Sequence, residues 1–358
     1  MKKVLRSILL IVNLLFVALF LGSTLAGLCK PSHFVAFSFL SYGYFIFLLI
    51  NCLFVLLWLC LGRWHFLFSL TAILLRYPFI PLFFQLGGTS VPPSQHDCSN
   101  TDVVKLMSFN VHGFHGPDDS LSADTGATLF LDLVRDYSPD ILSLQEFFNP
   151  PLINTTDSLE ALGYIHHYGP NGYGLVIFSK FPFSYVDPKP DPSHFCVEIN
   201  PGTHPFYVCC VHLTSYQLDG NDKEGLDAII HGSTDTADAK RIYRKFRRTI
   251  FSHEKQWNDY LSTLVSSKMK PLVVLGDFND TPASYLYQKM SGSLIDAYTE
   301  EGRGFSTTYH GPFPNFRIDH LFHSPDIRAL SYQRIKSAVS DHYPIFVSLD
   351  MNPQSAIQ

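Results

Sequence analysis

Two short pieces near the C-terminal end, Arg317-Ile318-Asp319-His320 and Ser340-Asp341-His342-Tyr343-Pro344, set carboxylates beside imidazoles. Leu275-Gly276-Asp277-Phe278-Asn279-Asp280 adds acidic and amide groups directly after an apolar run. An imidazole with one Asp beside it and a second within reach suits a proton-handling ring held in one tautomer next to a metal-binding carboxylate. Ser108-Phe109-Asn110-Val111-His112 and Leu144-Gln145-Glu146 bring an amide and a carboxylate to the ends of two further apolar runs. Such a pair suits a hard cation that takes oxygen ligands. In isolation, Glu146 reads more readily as a surface or capping residue, and His212 in Val211-His212-Leu213 as a hydrogen-bonded core histidine. Taken together, these groups imply phosphoester cleavage, in which a cation neutralises developing negative charge and fixed groups orient water.

The elements that must carry them are legible as β-rich runs at 103–111, 141–145, 174–178, 206–213, 272–275, 319–323 and 345–349, most of which end in polar residues. Helical patterns lie between them at 125–137, about 238–267 and 282–291, the last with Pro282 placed for a first turn. This alternation predicts a layered α/β domain. Strand geometry then sends Asp277 and Asn279 to one side and Phe278 to the other. The polar, Gly- and Asp-rich stretch 216–236 reads as a loop near the site.

Composition divides the chain near residue 87. Of 26 Lys plus Arg and 31 Asp plus Glu, six basic and no acidic residues fall in the first 87, leaving a formal charge of −11 on the remainder. That acidic balance argues against tight, sequence-independent binding to duplex nucleic acid. Residues 88–101, rich in Gly, Ser, Pro and Thr, read as a linker, and 102–351 as one large domain. Of seven cysteines, Cys209 and Cys210 are consecutive on an expected strand and read as small core residues on opposite faces, with a disulfide as the alternative.

Residues 8–28 and 34–61 are each apolar and long enough to cross a bilayer. A third stretch, 65–86, has the length but contains Arg76, Pro78 and Pro81, which are costly or kinking at membrane depth. Lys2, Lys3 and Arg6 favour a cytoplasmic N-terminus. Three spans then export the domain, giving a multi-pass membrane protein with its large domain outside the cytoplasm; an interfacial third segment would leave that domain inside.

The order of motifs over 103–350 resembles the endonuclease/exonuclease/phosphatase superfamily, which includes deoxyribonuclease I, abasic-site endonucleases, inositol polyphosphate 5-phosphatases and neutral sphingomyelinases. The pieces are SFNVH, LQE, GLVIFSKFP from Gly174, VHL, LGDFND, RIDHLF and SDHYP. The resemblance implies a four-layer α/β/β/α sandwich with its site at one edge of two face-to-face sheets. It also implies roles: Glu146 as principal Mg²⁺ ligand, with Mn²⁺ as the alternative ion, helped by Asn110 and Asp341. Asp277 and Asn279 would position the attacking water and the phosphate, His212 would bind a phosphoryl oxygen, and Asp319 would orient His342. His112 departs from the pattern, standing where several DNA-repair members carry an acidic residue. The apolar front and the Gly302–Tyr309 stretch resemble the membrane-anchored members common in Bacteroidota.

The expectation is therefore a membrane-anchored, Mg²⁺-dependent phosphoesterase acting on a nucleic acid, a phospholipid or a small phosphoester, with no feature pointing to a protein partner. The alternative is an inactive scaffold on the same fold, whose expected trace, loss of Glu146, His212, Asp277 or His342, is absent.

Overall fold

The structure, a computed structural model, describes residues 2–88 and 102–352, apart from 170–171, 173, 186–190, 203, 219–220, 223, 226–227, 229–235, 268 and 312–314. All but Gly88 of the expected linker, and part of the 216–236 loop, lie outside the described residues.

The N-terminal quarter is helical: α1 (Lys2–Leu25), α2 (Val35–Tyr42), α3 (Tyr44–Cys60) and α4 (Phe66–Leu75), followed by a 3₁₀ turn at Tyr77–Leu82 and a short strand, β1 (Phe84–Gln85). Of the three expected spans, only the first is one unbroken helix long and apolar enough to cross a membrane, among the described residues. The second is bent by 67° at Gly43, between α2 and α3. The expected continuous helix over 65–86 is instead the ten-residue α4 plus the 3₁₀ turn containing Pro81. Pro78 and Pro81 each lack a backbone N–H, which explains why the α-helix stops before them.

These helices are apolar outside and polar within. Ile8, Ile11, Leu15, Leu49, Leu53 and Leu56 are exposed, whereas Asn13, Asn51 and Ser69 are wholly buried. Asn13 Nδ2 donates to Ser69 Oγ (2.6 Å), Ser69 Oγ to Asn51 Oδ1 (2.8 Å), and the Trp58 indole N–H to Asn13 Oδ1 (2.9 Å), which joins α1, α3 and α4. Ser69→Ala is expected to leave Asn13 and Asn51 each one partner short, at a cost of about 1–2 kcal/mol. Thermal unfolding of the full chain in detergent would register it, and an unchanged midpoint would mean the network carries no stability.

Two six-stranded sheets follow. One runs β13-β14-β2-β3-β5-β4, built from β2 (Val103–Asn110), β3 (Ile141–Gln145), β4 (His166–Tyr168), β5 (Val176–Ser179), β13 (Arg328–Arg334) and β14 (Ile345–Asp350). The other runs β10-β12-β9-β8-β7-β6, from β6 (Phe183–Tyr185), β7 (His194–Ile199), β8 (Phe206–His212), β9 (Leu272–Asp277), β10 (Ile295–Asp296) and β12 (Asp319–His323). Each sheet has one parallel pair at its centre, β2 with β3 and β8 with β9. Alternation along each strand feeds three cores. Leu106, Ile141, Val208, Val273, Leu321 and Val347 pack between the sheets. Phe109, Leu142 and Phe178 pack outward on Phe130 and Val134 of α5 (Ala123–Tyr137). On the other side, Cys209, Val274 and Phe322 meet Leu261, Leu264, Leu286 and Tyr287. Those four come from a bent helical run and a short helix: α7 (Thr236–Gln256) continues through a π-helical turn, Trp257–Leu261, into α8 (Ser262–Ser266), and α9 is Tyr285–Met290. Two shorter helices are α6 (Thr155–Ala161) and α10 (Ala297–Glu301). The result is the expected four-layer α/β/β/α sandwich.

Seven strands match expectation closely, whereas β4, β6, β7, β10 and β13 were not foreseen. For Cys209 the first reading, a small core residue, gives way to the alternative: it faces Cys196 across the β7–β8 ladder and is disulfide-bonded to it. Cys210 points to the opposite face and is free and buried.

The N-terminal helices are joined to the sandwich. β1 pairs with β11 (Gly304–Phe305). Ser32 donates through both its N–H and its hydroxyl to Glu254 of α7 (2.7 and 2.8 Å), and Phe39 stacks on Tyr243 at 5.0 Å.

Candidate active site

The C-terminal ends of both parallel pairs open into one cavity of about 250 Å³, lined at its floor by Asn110, Glu146, Asp277, Asn279, Asp341 and His342. Asn110 ends β2 and Glu146 follows β3, whose last residues are paired in register. His212 ends β8 opposite Asp277, the last residue of β9, and Asp319 at the start of β12 lies opposite Asp277 on its other side. Close approach of β8 and β9 requires Gly276: at its φ of +146°, a Cβ would lie 1.9 Å from the Val211 carbonyl oxygen. Phe278 turns away from the cavity onto His320 and Phe322, as strand alternation predicts.

Asn110 Nδ2 sits between the two carboxylates, donating to Glu146 Oε1 and to Asp277 Oδ2, both at 3.1 Å. Its oxygen accepts the His112 N–H (3.1 Å). Asn110 therefore aligns two carboxylates, and its oxygen keeps a second lone pair beside the one that accepts the His112 N–H. Asn279 is similarly occupied, its N–H on Asp277 Oδ1 (2.8 Å) and its amide on Asp277 Oδ2 and the Leu213 carbonyl (both 3.1 Å). His342 Nδ1 meets Asp319 Oδ2 at 2.9 Å, and its Nε2 faces Asp277 Oδ2 at 3.9 Å. His212 Nε2 lies 3.7 Å from Glu146 and 3.9 Å from Asp277. Asp341 reaches His112 at 3.9 Å.

His112, not foreseen as a site residue, lies 3.3 Å from Glu146. Glu146, Asn279 and His112 all have positive φ, of 53°, 50° and 46°. Clustering of that costly conformation at one place is typical of a functional site.

The charges are uneven. Burial first, and the neighbouring Asp319 second, push the Asp277 carboxyl up from its ordinary value. Burial would lower His342, but Asp319 and Asp277 outweigh it and raise the imidazole well into its protonated range. Burial would also raise Glu146, yet the His112 hydrogen bond, the His212 charge and Asn110 together hold it down at about 2. Asp319 Oδ1 is buried with no hydrogen-bond partner. The carboxylates of Glu146, Asp277 and Asp341 line one cavity, and the orphaned oxygen belongs to Asp319, bonded to His342 of the same lining; these donors fit a divalent cation. Among the described residues, the group of three whose ligand atoms all lie within 4.8 Å of one another is Asp277, Asp319 and His342, a set different from the expected Asn110, Glu146 and Asp341.

His320, singled out with Asp319 in the sequence, does not reach the cavity. Its Nδ1 accepts from Arg317 (3.0 Å) and its Nε2 donates to the Asp280 carbonyl (3.0 Å), so both ring nitrogens serve the fold.

The Endonuclease/Exonuclease/phosphatase family model matches residues 107–342, and the chain belongs to that family. It is a hydrolase of phosphoester bonds. A second family model, described as a domain of unknown function, matches residues 6–83. Among solved structures, the human Nocturnin catalytic domain is 19% identical, with 73% of this chain and 99% of that one covered at a TM-score of 0.46. An endonuclease/exonuclease/phosphatase from Beutenbergia cavernae is 18% identical, covering 70% and 72% at 0.46. A mannosyl-6-phosphatase of Bacteroides thetaiotaomicron is 20% identical, covering 69% and 99% at 0.45. No curated protein matches the chain.

Proposed function

We propose that the chain is a membrane-anchored, Mg²⁺-dependent phosphoesterase whose domain, 102–351, works outside the cytoplasm of a bacterium. The observation that carries the catalytic part is the convergence of Asn110, Glu146, Asp277 and His342 from both sheets on one cavity, with His212 beside Glu146 and Asp277 and with Asp319 bonded to His342. The apolar outside and hydrogen-bonded inside of the N-terminal helices favour anchoring, since helices in lipid join through such buried polar contacts. The Cys196–Cys209 bond favours an oxidising compartment.

Glu146, half-exposed at the cavity and flanked by Asp341, is the principal seat for the cation, and Asn110 fixes its angle. The bound ion would neutralise charge developing on the phosphoryl oxygens. Asp277, held by Asn110 and Asn279, takes a proton from the attacking water. His212 contacts a phosphoryl oxygen. His342, fixed by Asp319 through Nδ1, donates through Nε2 to the departing oxygen. One water is consumed per P–O bond broken: its oxygen stays on phosphorus, and one proton ends on the released alcohol.

The test is calorimetric titration of Mg²⁺ into the full chain in detergent, paired with hydrolysis of a chromogenic phosphodiester and phosphomonoester before and after chelation. Chelation is expected to abolish turnover, and Glu146→Gln to weaken Mg²⁺ binding at least tenfold, while Asp319→Asn leaves Mg²⁺ binding largely intact. The opposite order of the two variants would move the cation to the Asp277, Asp319 and His342 group. Turnover that survives chelation would remove the metal from the reading.

A further inference from the structure

The catalytic cavity is only half polar. Opposite the carboxylates, its wall is formed by Tyr42, Tyr216, Leu218, Phe246, Phe316 and Ile318. Tyr42 does not belong to the sandwich: it is the last residue of α2, directly before Gly43, where the apolar α2–α3 pair bends by 67°. The Tyr42 ring meets Tyr216 at 5.9 Å and Phe246 at 5.7 Å, both edge-on at 88°, and Phe316 at 5.7 Å and 69°. Tyr216 and Phe246 are 4.5 Å apart. Tyr42 thus packs edge-on against the other three rings, and together they form an apolar surface. The Tyr42 and Tyr216 hydroxyls bond each other, and Tyr42 Oη also reaches Asp280 (3.4 Å), which lies behind the wall and is held there by His253 (3.2 Å). Their polar ends are thus already satisfied.

Charge points the same way. Among the described residues that line the cavity there is no Lys or Arg. A polyanionic strand draws its affinity from such residues, whereas this cavity offers one polar floor for a single phosphoryl group and one apolar face beside it. α2 packs on α7 through Phe39–Tyr243, and the turn before it is tied to α7 by Ser32–Glu254, so the wall is a fixed part of the site.

We propose that the substrate is a lipid phosphoester, with its phosphorus at the carboxylate floor and its hydrocarbon chain along the aromatic wall that the N-terminal helices complete. The inference rests on the phosphoesterase reading and names its substrate class. A lipid reaches this wall along the exposed apolar surface of α3, which begins one residue beyond Gly43. Tyr42 is then a specificity-determining residue supplied by the anchor.

The test uses the full chain in detergent with Mg²⁺ and a series of phosphoesters that share one headgroup and carry alkyl chains of increasing length, each below its critical micelle concentration. kcat/KM is expected to rise roughly fourfold per added methylene until the wall is covered, and at least tenfold across the series. Tyr42→Ser is expected to compress that long-to-short ratio at least tenfold, and Tyr42→Phe to preserve it, which separates loss of the wall from misfolding. A flat chain-length profile with measurable turnover would overturn the lipid inference while leaving the phosphoesterase standing. Faster cleavage of an oligonucleotide than of the longest ester would replace the lipid by a nucleic acid. No turnover of any phosphoester by chain that binds Mg²⁺ would remove both readings.

Discussion

Replacing His342 by Ala is expected to lower kcat by about 10²–10⁴-fold, the range for loss of a positioned proton donor. The ring is buried, bonded to Asp319 at 2.9 Å and aimed at Asp277, so its removal takes away the proton carrier without touching the strands that frame the cavity. Asp319→Asn isolates a different part of the device. The amide still fits, but it no longer holds the ring in its charged form, and a loss of about 10–100-fold in kcat is expected. In the proposed mechanism Asp319 acts through His342, so the double substitution should cost no more than His342→Ala alone. Steady-state kinetics on the three variants, with thermal unfolding as a control, decides it. Additive losses would mean that Asp319 acts on the reaction independently of His342.

The second large effect concerns stability. Arg317, almost fully buried, donates to Asp296 (2.6 Å), to the Leu82 carbonyl (2.8 Å) and to the Tyr287 hydroxyl (3.2 Å), with Tyr298 stacked over it at 4.4 Å. It ties the segment that leaves the N-terminal helices to the sandwich. Arg317→Met leaves Asp296 buried without its cation and is expected to cost about 3–5 kcal/mol. Removing the charge as well, in Arg317→Met/Asp296→Asn, should recover part of it. Burial would raise Asp296, but Arg317 and His320 outweigh it and hold its carboxyl below the ordinary range. The folded state therefore keeps Asp296 ionised at pH values where the unfolded chain has begun to protonate it. The stability so gained is full above the unfolded carboxylate range and is lost as pH falls through the folded value. Acid titration of unfolding midpoints should show wild type and double variant converging only at low pH; parallel curves would mean the pair contributes nothing through ionisation.

The strands that carry the chemistry were legible because each is an apolar, β-branched run that stops at a polar residue. Leu272-Val273-Val274-Leu275 before Gly276-Asp277 is the clearest case, and its alternation correctly set Phe278 against Asp277. The strands that escaped notice are mostly short or lie toward the sheet margins. β13, Arg-Ala-Leu-Ser-Tyr-Gln-Arg, mixes charge with apolar residues because it is an edge strand paired on one side only. Missing β7 hid the partner of Cys209, since a cross-strand disulfide is invisible until both strands are known. The place of His112 in the site is not legible in the sequence, because it depends on where Glu146 points. The aromatic wall could not be read at all: Tyr42 and Tyr216 meet across two units of the fold, and no local pattern records a contact at that separation. The helical breaks at Gly43 and Pro78 were weaker signals than the hydropathy around them.

The order of the strands has a consequence for synthesis. β2 opens its sheet in chain order and β14 closes it, lodged between β13 and β2, while Ser340 Oγ donates to the Asn110 carbonyl oxygen at 2.7 Å. An emerging chain therefore carries Asn110 and Glu146 early, but gains Asp319, His342 and the strand that secures them only at the last stage of translation. The cavity is therefore complete only once β14 is in place, and hydrolysis is expected to begin only with the finished chain.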